Sequence, residues 1–298
     1  MTPRAVLAAG ILALSLAPGG AAARCEDWVP QPKPQNAGRD VVGKDIDEIQ
    51  DQGWIDIAVY EDFPPWSYMD EGEPAGIDVD VARLIADDLG VEARVHLVPA
   101  AENLDADLRN WVWQGPVVGG RVSNVMLHIP YDSDFACRVE QVVFTGQYAT
   151  EAIAIAYRED AYPDTPPVPA YFRFDTVAVE NDSISDFYLT SFAGGQLAQG
   201  VRRYPTYAAA MTALRAAETM AAMGPMAQLE AGAGEGIALH RPPLAGFAVG
   251  EWTIGVAVHQ AYRALGYAVD DAILAALEDG RMDAIFAAHG VTHLAPER

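Results

Sequence analysis

Residues 53–90, which read GWIDIAVYEDFPPWSYMDEGEPAGIDVDVARLIADDLG, carry the clearest fold signal in the chain. Their first part, Trp54 to Tyr60, alternates apolar with polar or small residues, which predicts a half-buried strand. After Asp78 and Asp80 the apolar residues return at helical spacing, and Gly90 is a natural end for that helix. The stretch therefore predicts a strand, a loop and a helix, the unit from which α/β sheets are built.

The loop between this strand and this helix is rich in aromatic side chains. Two consecutive prolines fix φ and prevent further strand pairing. Phe63, Trp66 and Tyr68 are therefore expected at the carboxyl end of the strand, where open α/β sheets bind ligands. Together with the adjacent Asp62, they are predicted to line a binding cleft.

Two motifs of this region point to a family. They read PPWSY (residues 64–68) and GIDVDVA (residues 76–82), and together they resemble the opening of family 3 periplasmic solute-binding proteins. Later segments continue the resemblance, with WTIGVAVH at residues 252–259 and DDAILAALEDGRMDAIFAAHG at residues 270–290. The resemblance implies an α/β protein of the type II periplasmic-binding fold, with two lobes, a hinge and an interlobe cleft, and without a cofactor.

The chain divides into four predicted parts. Residues 1–23 form a signal peptide, and residues 24–52 form an extended N-terminal arm because they are rich in proline, asparagine and charge. The first lobe comprises residues 53–147 and 253–298. The second lobe comprises residues 148–252.

The N-terminus predicts export. Arg4 supplies a positive charge, Ala5 to Ala17 an apolar core, and residues 21–23 a small-residue cleavage site. A lipoprotein needs small residues directly before its cysteine, but Arg24 precedes Cys25. We therefore expect a periplasmic protein without a lipid anchor or a membrane-inserted segment.

The charge balance narrows the range of partners. The chain holds 19 lysines and arginines against 42 aspartates and glutamates, a formal charge of −23. Such a field repels phosphate backbones and anionic headgroups, which argues against nucleic-acid and membrane binding. It favours a basic protein partner or a cationic ligand, although acidity also serves solubility alone.

The two cysteines suggest one disulfide. Cys25 and Cys137 both belong to the predicted mature chain, in a compartment where disulfides persist. A bridge would attach the N-terminal arm to the first lobe. The alternative is two buried free thiols.

One arginine stands where the family clamps a ligand carboxylate. Arg138 lies six residues before Phe144, which is the family spacing, and a guanidinium offers two parallel hydrogen bonds to a carboxylate. The insertion before it departs from the family pattern and brings Asp132 and Asp134 close. Arg138 therefore either holds a ligand or forms a structural ion pair.

The second lobe departs from the amino-acid-binding pattern at two places. Asn181, Asp182 and Ser183 occupy the loop whose amides hold a carboxylate in amino-acid binders, and we predict these residues in the cleft. Asp182 puts a negative charge there and is more simply explained as a helix N-cap. At 224–225, Gly-Pro replaces the usual ammonium-pairing aspartate, which makes an ordinary amino-acid ligand doubtful.

A narrower resemblance concerns LDADLRNWVWQGPVVGGRVSNVMLHIPYDSDFA, residues 104–136. This segment is similar to the MxaJ and XoxJ-type branch, whose members accompany quinoprotein (PQQ-dependent) methanol and alcohol dehydrogenases. The resemblance implies a non-enzymatic accessory that contacts a quinoprotein dehydrogenase or its cytochrome. Trp111 and Trp113 would then join the aromatic residues at the cleft edge.

Two other functions compete with this one. The first is the substrate-binding subunit of an ABC importer, which presents a small polar solute such as an amino acid to its permease. The second is a dehydratase-like enzyme, since some proteins of this fold are dehydratases. The chain has no G-x-S-x-G, H-E-x-x-H or P-loop motif, which favours binding without catalysis.

No metal site is predicted. His289 and His293 stand four residues apart, but a frayed, exposed tail is the simpler account. Asp78 and Asp80 lack the other ligands of a calcium loop, so helix capping and solvation explain them. The remaining histidines, among them His128, are expected to be structural.

Overall fold

The computed structural model describes residues 43–118, 121–246 and 250–297, with the backbone alone at 133, 134 and 193. The predicted signal peptide and most of the predicted arm lie outside the described residues, and so does Cys25. The pairing of Cys25 with Cys137 therefore stays a prediction.

The end of the predicted arm is a helix, so its extended conformation is wrong for these residues. Helix α1 spans Ile46–Gln52. The Asp45 side chain accepts a hydrogen bond from the Glu48 backbone N–H at 2.9 Å, and the Glu48 carboxylate accepts one in return from the Asp45 N–H. This capping box, with Ile49 buried below it, stabilises a helix that composition alone did not suggest.

The first half of the chain alternates strands and helices. Its elements are β1 (Trp54–Tyr60), β2 (Tyr68–Asp70), β3 (Glu73–Ala75), α2 (Ile77–Leu89), β4 (Glu92–Val98), α3 (Leu104–Leu108), β5 (Val125–Pro130), α4 (Ser133–Arg138) and β6 (Val142–Arg158). The predicted strand, loop and helix of residues 53–90 are confirmed, and Gly90 ends α2 in the left-handed conformation with φ 73°.

The second half continues the alternation. Its elements are β7 (Val177–Glu180), α5 (Ile184–Ser191), β8 (Val201–Tyr204), α6 (Tyr207–Arg215), β9 (Ala221–Pro225), α7 (Met226–Gly232), β10 (Ile237–His240), β11 (Glu251–His259), α8 (Arg263–Asp279) and α9 (Arg281–Ala288). In the described part of the chain, no helix combines the length and the apolar character that crossing a bilayer requires.

Strand β6 joins two sheet regions. On one side the order is β4-β1-β5-β11-β6, with β1 parallel to β4 and β5. On the other side the order is β6-β9-β7-β8, and β10 also pairs with β6. Because β6 runs unbroken through both regions, a continuous strand joins them.

Each sheet region has its own apolar core. The first core packs β1, α2 and α8 together through residues such as Ile57, Ile85 and Ile273. The second packs β6, β7 and β9 through residues such as Ile155 and Val179. Two cores joined by β6 and β11 form the predicted two-lobed α/β fold.

Candidate functional site

A cavity of about 450 Å³ opens at the carboxyl ends of the first-lobe strands. We call it the Phe63 cavity; it is lined by Tyr60, Glu61, Asp62, Phe63, Ala100, Leu104, His128, Pro130 and Trp252. Trp252 packs against the apolar cores of both lobes, which places the cavity at their junction. This is where ligands of open α/β sheets bind.

A second cavity adjoins the first. It has about 620 Å³ and shares Pro130 and Trp252 with the Phe63 cavity. Ile184, the first residue of α5, contributes to it from the second lobe. The two cavities together form a groove between the lobes.

The aromatic loop contributes less to the groove than its sequence predicts. Asp62 and Phe63 line the cavity, and their contact with a ligand stays a prediction. Trp66 does not, because hydrogen bonds between Phe63 and Ser67 close the loop and turn Trp66 inward, where it is only 1% exposed. Its ring packs against Phe286, with centroids 5.7 Å apart. Tyr68 lies on the β2–β3 hairpin and is not among the lining residues.

A buried polar network supports the cavity from below. Asp78 is fully buried in the first turn of α2 and accepts hydrogen bonds from the Tyr148 hydroxyl at 2.6 Å and from His128 Nδ1 at 3.0 Å. The His128 backbone N–H in turn donates to the Tyr148 hydroxyl at 3.2 Å. The capping role predicted for Asp78 is therefore wrong: Gly76 is the N-cap, and the Asp78 carboxylate serves the network instead.

His128 itself occupies an unusual backbone position. Its φ is +60°, which a non-glycine residue rarely adopts within a strand. The register of β5 against β11 shifts between Gly255 and Ala257, beside His128. Backbone strain of this kind concentrates at functional sites, and here it accompanies a side chain that lines the cavity. Its ring lies 4.9 Å from that of Phe63 and 4.5 Å from that of Trp66, centroid to centroid.

A second pair fixes another wall of the cavity. The Tyr60 hydroxyl donates to Asp107 Oδ2 at 3.0 Å, and the Ala101 N–H donates to Asp107 Oδ1 at 2.6 Å. Burial raises the pKa of Tyr60 well above its ordinary value, and the Asp107 charge raises it further. Burial also raises the pKa of Asp107. Tyr60 is therefore held as a neutral donor, with its ring against the cavity.

Glu151 connects strand β6 to helix α7 within the second lobe. It is 3% exposed, and its Oε1 accepts hydrogen bonds from the backbone N–H groups of Ala152 and Met226, both at 2.9 Å. Met226 begins α7. Burial raises the pKa of Glu151 to about 7, because the hydrogen bonds offset only part of the cost of desolvating the carboxylate.

Arg138 lies away from the Phe63 cavity. It lines a separate cavity of about 560 Å³ with Trp113 and Arg109, and that cavity shares no lining residue with the first. Its guanidinium lies over the Phe135 ring, 5.3 Å from the centroid. The nearby Asp132 carboxylate instead caps α4, accepting from the Phe135 N–H at 2.7 Å. No ion pair joins Arg138 to Asp132 among the described side chains, and the Asp134 side chain lies outside them. The role of Arg138 as a ligand clamp stays a prediction.

The loop at residues 181–183 is satisfied internally. Asn181 donates to Asp182 Oδ2 at 2.6 Å, and Ser183 accepts from the Asp186 N–H at 3.2 Å. Ser183 is therefore the N-cap of α5, and the prediction that Asp182 caps the helix is wrong. Asp182 instead adopts a left-handed conformation with φ +60°, and its N–H donates to Asp186. These three residues do not line the Phe63 cavity.

The structure also accounts for the missing ammonium-pairing carboxylate. Gly224 lies directly under the Tyr207 ring, and a Cβ at this position would stand 2.2 Å from a ring carbon. No side chain, charged or not, fits there while Tyr207 keeps its place.

The remaining aromatic and histidine predictions also need correction. Trp111 and Trp113 belong to a π-helical turn and pack against a side cluster of the first lobe, not along the cleft. The C-terminal tail is packed, not frayed: His289 Nε2 lies 2.8 Å from Asp80 Oδ2, and His293 Nε2 lies 2.8 Å from the Tyr148 carbonyl oxygen. Over the described residues, no group of three or more potential ligands could hold a metal ion.

Sequence reasoning missed His128, Trp252 and Tyr60, which line the cavity. A usable signal existed for His128, since it lies near the carboxyl end of a strand whose preceding residues are apolar, as in VMLHIP. A polar residue at that end of a parallel strand faces the edge where ligands bind. For Trp252 no local signal existed, because its position depends on the pairing of β11 with β6.

Comparison with known proteins agrees with the architecture. Residues 55–110 match the family model described as bacterial extracellular solute-binding proteins, family 3. The matched segment contains β1, the aromatic loop and α2, which carried the resemblance. A search of curated protein sequences finds no match.

Solved structures extend the likeness over most of the chain. An ancestral cationic amino acid solute-binding protein (AncCDT-1) matches with a TM-score of 0.67 and 19% identity, over 82% of this chain and 99% of that one. The substrate-binding protein AbpA of an amino acid ABC transporter from Streptococcus pneumoniae, bound to L-arginine, gives 0.56 and 18%, over 82% and 97%. A histidine kinase sensor domain with similarity to periplasmic binding proteins gives 0.53 and 24%, over 81% and 97%. At these identities the likeness shows the two-lobed fold.

Proposed function

We propose that this protein is an exported, non-enzymatic binding protein that recognises a small organic solute in the Phe63 cavity, as the substrate-binding subunit of an ABC importer does. The observation that carries the proposal is the cavity itself, which combines aromatic walls with a buried imidazole at the strand ends of a two-lobed α/β fold. Mostly apolar pockets with a few fixed polar groups are typical of small-molecule sites.

A ligand screen with a blocked variant tests this proposal. Ala100 is exposed and lines the cavity, so Ala100→Trp should fill it, whereas Ala208→Trp alters an exposed position of α6 and serves as the control. A compound present at about a hundred times its Kd should raise Tm by roughly 5 °C in the wild type and in the control. The blocked variant should show no shift, and mass analysis should recover the compound unchanged. Equal shifts in all three proteins, or no shift with amines, amino acids, sugars and carboxylates, would contradict the proposal.

A second candidate function is the accessory of a quinoprotein methanol or alcohol dehydrogenase. It is supported by the branch-like segment at residues 104–136 and by the loss of both amino-acid anchors: Arg138 lies in another cavity and Gly224 is covered by Tyr207. In this role the partner is the dehydrogenase or its cytochrome.

The two proposed roles differ in whether the protein binds a dehydrogenase and changes its activity. Under the accessory proposal, the purified protein should co-elute with the quinoprotein dehydrogenase and change its rate of alcohol oxidation at a fixed dye concentration. No co-elution and no change in rate would leave the importer role as the better account.

A further inference from the structure

The charge of the interlobe groove is of one sign. Glu61 and Asp62 line the Phe63 cavity, and Asp132, Glu251 and Glu297 line the adjoining one. Among the described residues that line these two cavities there is no lysine or arginine. Arg241 approaches from outside and pairs with Glu251 at 3.4 Å. A cleft lined by charges of one sign concentrates ions of the opposite sign, and the net charge of −23 acts in the same direction.

The walls suit an organic cation. The rings of Tyr60, Phe63 and Trp252 line the cavity, with Tyr60 and Phe63 edge to face at 86° and 6.4 Å between centroids. Aromatic faces attract cations through the ring quadrupole, and they also bury the apolar part of a ligand.

The one deeply buried polar side chain in the cavity lining calls for a hydrogen-bond donor. His128 is 7% exposed, and no described residue bonds its Nε2. In the tautomer that donates from Nδ1 to the Asp78 carboxylate, 3.0 Å away, Nε2 presents a lone pair. A ligand carboxylate cannot satisfy that lone pair, but an ammonium N–H can.

From these observations we infer that the ligand of the Phe63 cavity is a protonated amine with an apolar body, whose N–H donates to His128 Nε2 and whose charge faces Glu61 and Asp62. A carboxylate on the ligand is not required, since Arg138 lines another cavity. The inference rests on the proposed function, because it names the ligand class of the same site.

Four probes with one phenethyl body separate the contributions of charge and hydrogen bonding: phenethylamine, phenethyltrimethylammonium, 2-phenylethanol and 3-phenylpropionate. In calorimetric titrations near neutral pH, phenethylamine should bind at least about tenfold tighter than the alcohol and the carboxylate. The quaternary cation, which has no N–H, should bind more weakly than phenethylamine.

The acidic pair is tested by a double variant. Glu61→Gln combined with Asp62→Asn should weaken phenethylamine about tenfold and leave 2-phenylethanol unchanged. Both side chains are exposed, so folding should be preserved, and Asp70→Asn on the exposed β2–β3 hairpin is the control.

Three results would overturn the inference: tighter binding of 3-phenylpropionate, no binding of any probe, or full amine affinity in the double variant. Anion binding that Ala100→Trp abolishes would reject the amine and leave the proposed function intact. The proposed function fails if no compound of the broader screen binds, or if Ala100→Trp binds each such compound as tightly as the wild type does.

Discussion

The two lobes differ in whether the polar side chains near the groove are already hydrogen-bonded within the protein. In the first lobe, Asp78, together with Tyr148 of the joining strand β6, holds His128 from behind, so that the imidazole lines the cavity with one nitrogen unbonded by any described residue. In the second lobe, Asn181 and Ser183 use their side chains within their own loop and helix.

If the proposed function is correct, this difference indicates which lobe contributes most to recognition. A polar group that is already satisfied gains little from a ligand, whereas a buried group with an open hydrogen-bonding position gains a full partner. The first lobe should therefore dominate ligand affinity, and the second should act mainly as a cover.

The largest effect is expected at Glu151 in the second lobe, whose carboxylate accepts from the backbone of α7. Its pKa is raised from about 4.5 to about 7, so between these values the folded state binds more protons than the unfolded state. Stability should fall as pH rises through that window, by about 3 kcal/mol in total. Glu151→Gln should remove this component, as denaturant melts from pH 4.5 to 8 will show.

A matched variant at an exposed glutamate is the control for this prediction. Glu235 is exposed, so Glu235→Gln should leave the pH dependence as it is in the wild type. If the unfolding free energy of Glu151→Gln depends on pH as steeply as that of the wild type, Glu151 does not titrate in this range. Its bonds to α7 are then those of an ordinary carboxylate.

The next largest effect on stability is expected at an aspartate of the first lobe, and an aspartate of the second lobe serves as its comparison. Asp78→Asn removes a buried charge that accepts from Tyr148 and His128, and it should cost about 2 kcal/mol of unfolding free energy. Asp182→Asn keeps a residue type that tolerates a left-handed backbone at an exposed position, so it should cost less than about 0.5 kcal/mol. Equal losses would show that the two lobes do not differ in this respect.

A smaller loss than at Asp78 is expected at the α5 cap. Ser183→Ala removes the side chain that accepts from the Asp186 N–H and should cost about 1 kcal/mol. Because Ser183 does not line the Phe63 cavity, ligand affinity should change less than about twofold. A large loss of affinity, measured by calorimetry, would show that this loop is part of the binding site.

The fold could be predicted from the sequence because local residue patterns indicate its strands and helices. The alternation at Trp54 to Tyr60, the helical spacing before Gly90 and the motifs at residues 64–68 and 76–82 were enough to predict a two-lobed α/β protein. Helix α1 was missed because its stability comes from a capping box and one buried isoleucine, which a composition-based argument overlooks.

The site was harder to predict from the sequence, because side-chain burial and strand register determine which residues line the cavity. Trp66 belongs to the predicted loop, but hydrogen bonds between Phe63 and Ser67 turn it inward. Arg138 kept its family spacing, yet it lies on α4 and lines a different cavity. The sequence predicts only a structural role for His128, since its partners, Asp78 and Tyr148, are distant in sequence.

Calorimetric titration of the tightest ligand from the screen into three proteins tests most directly whether recognition resides in the Phe63 cavity. Phe63→Ala removes a cavity wall and Arg138→Ala removes the family-like arginine, with circular dichroism confirming that both are folded. We expect at least about tenfold weaker binding for Phe63→Ala and a change below about twofold for Arg138→Ala. Loss of binding in Arg138→Ala with full affinity in Phe63→Ala would contradict this expectation.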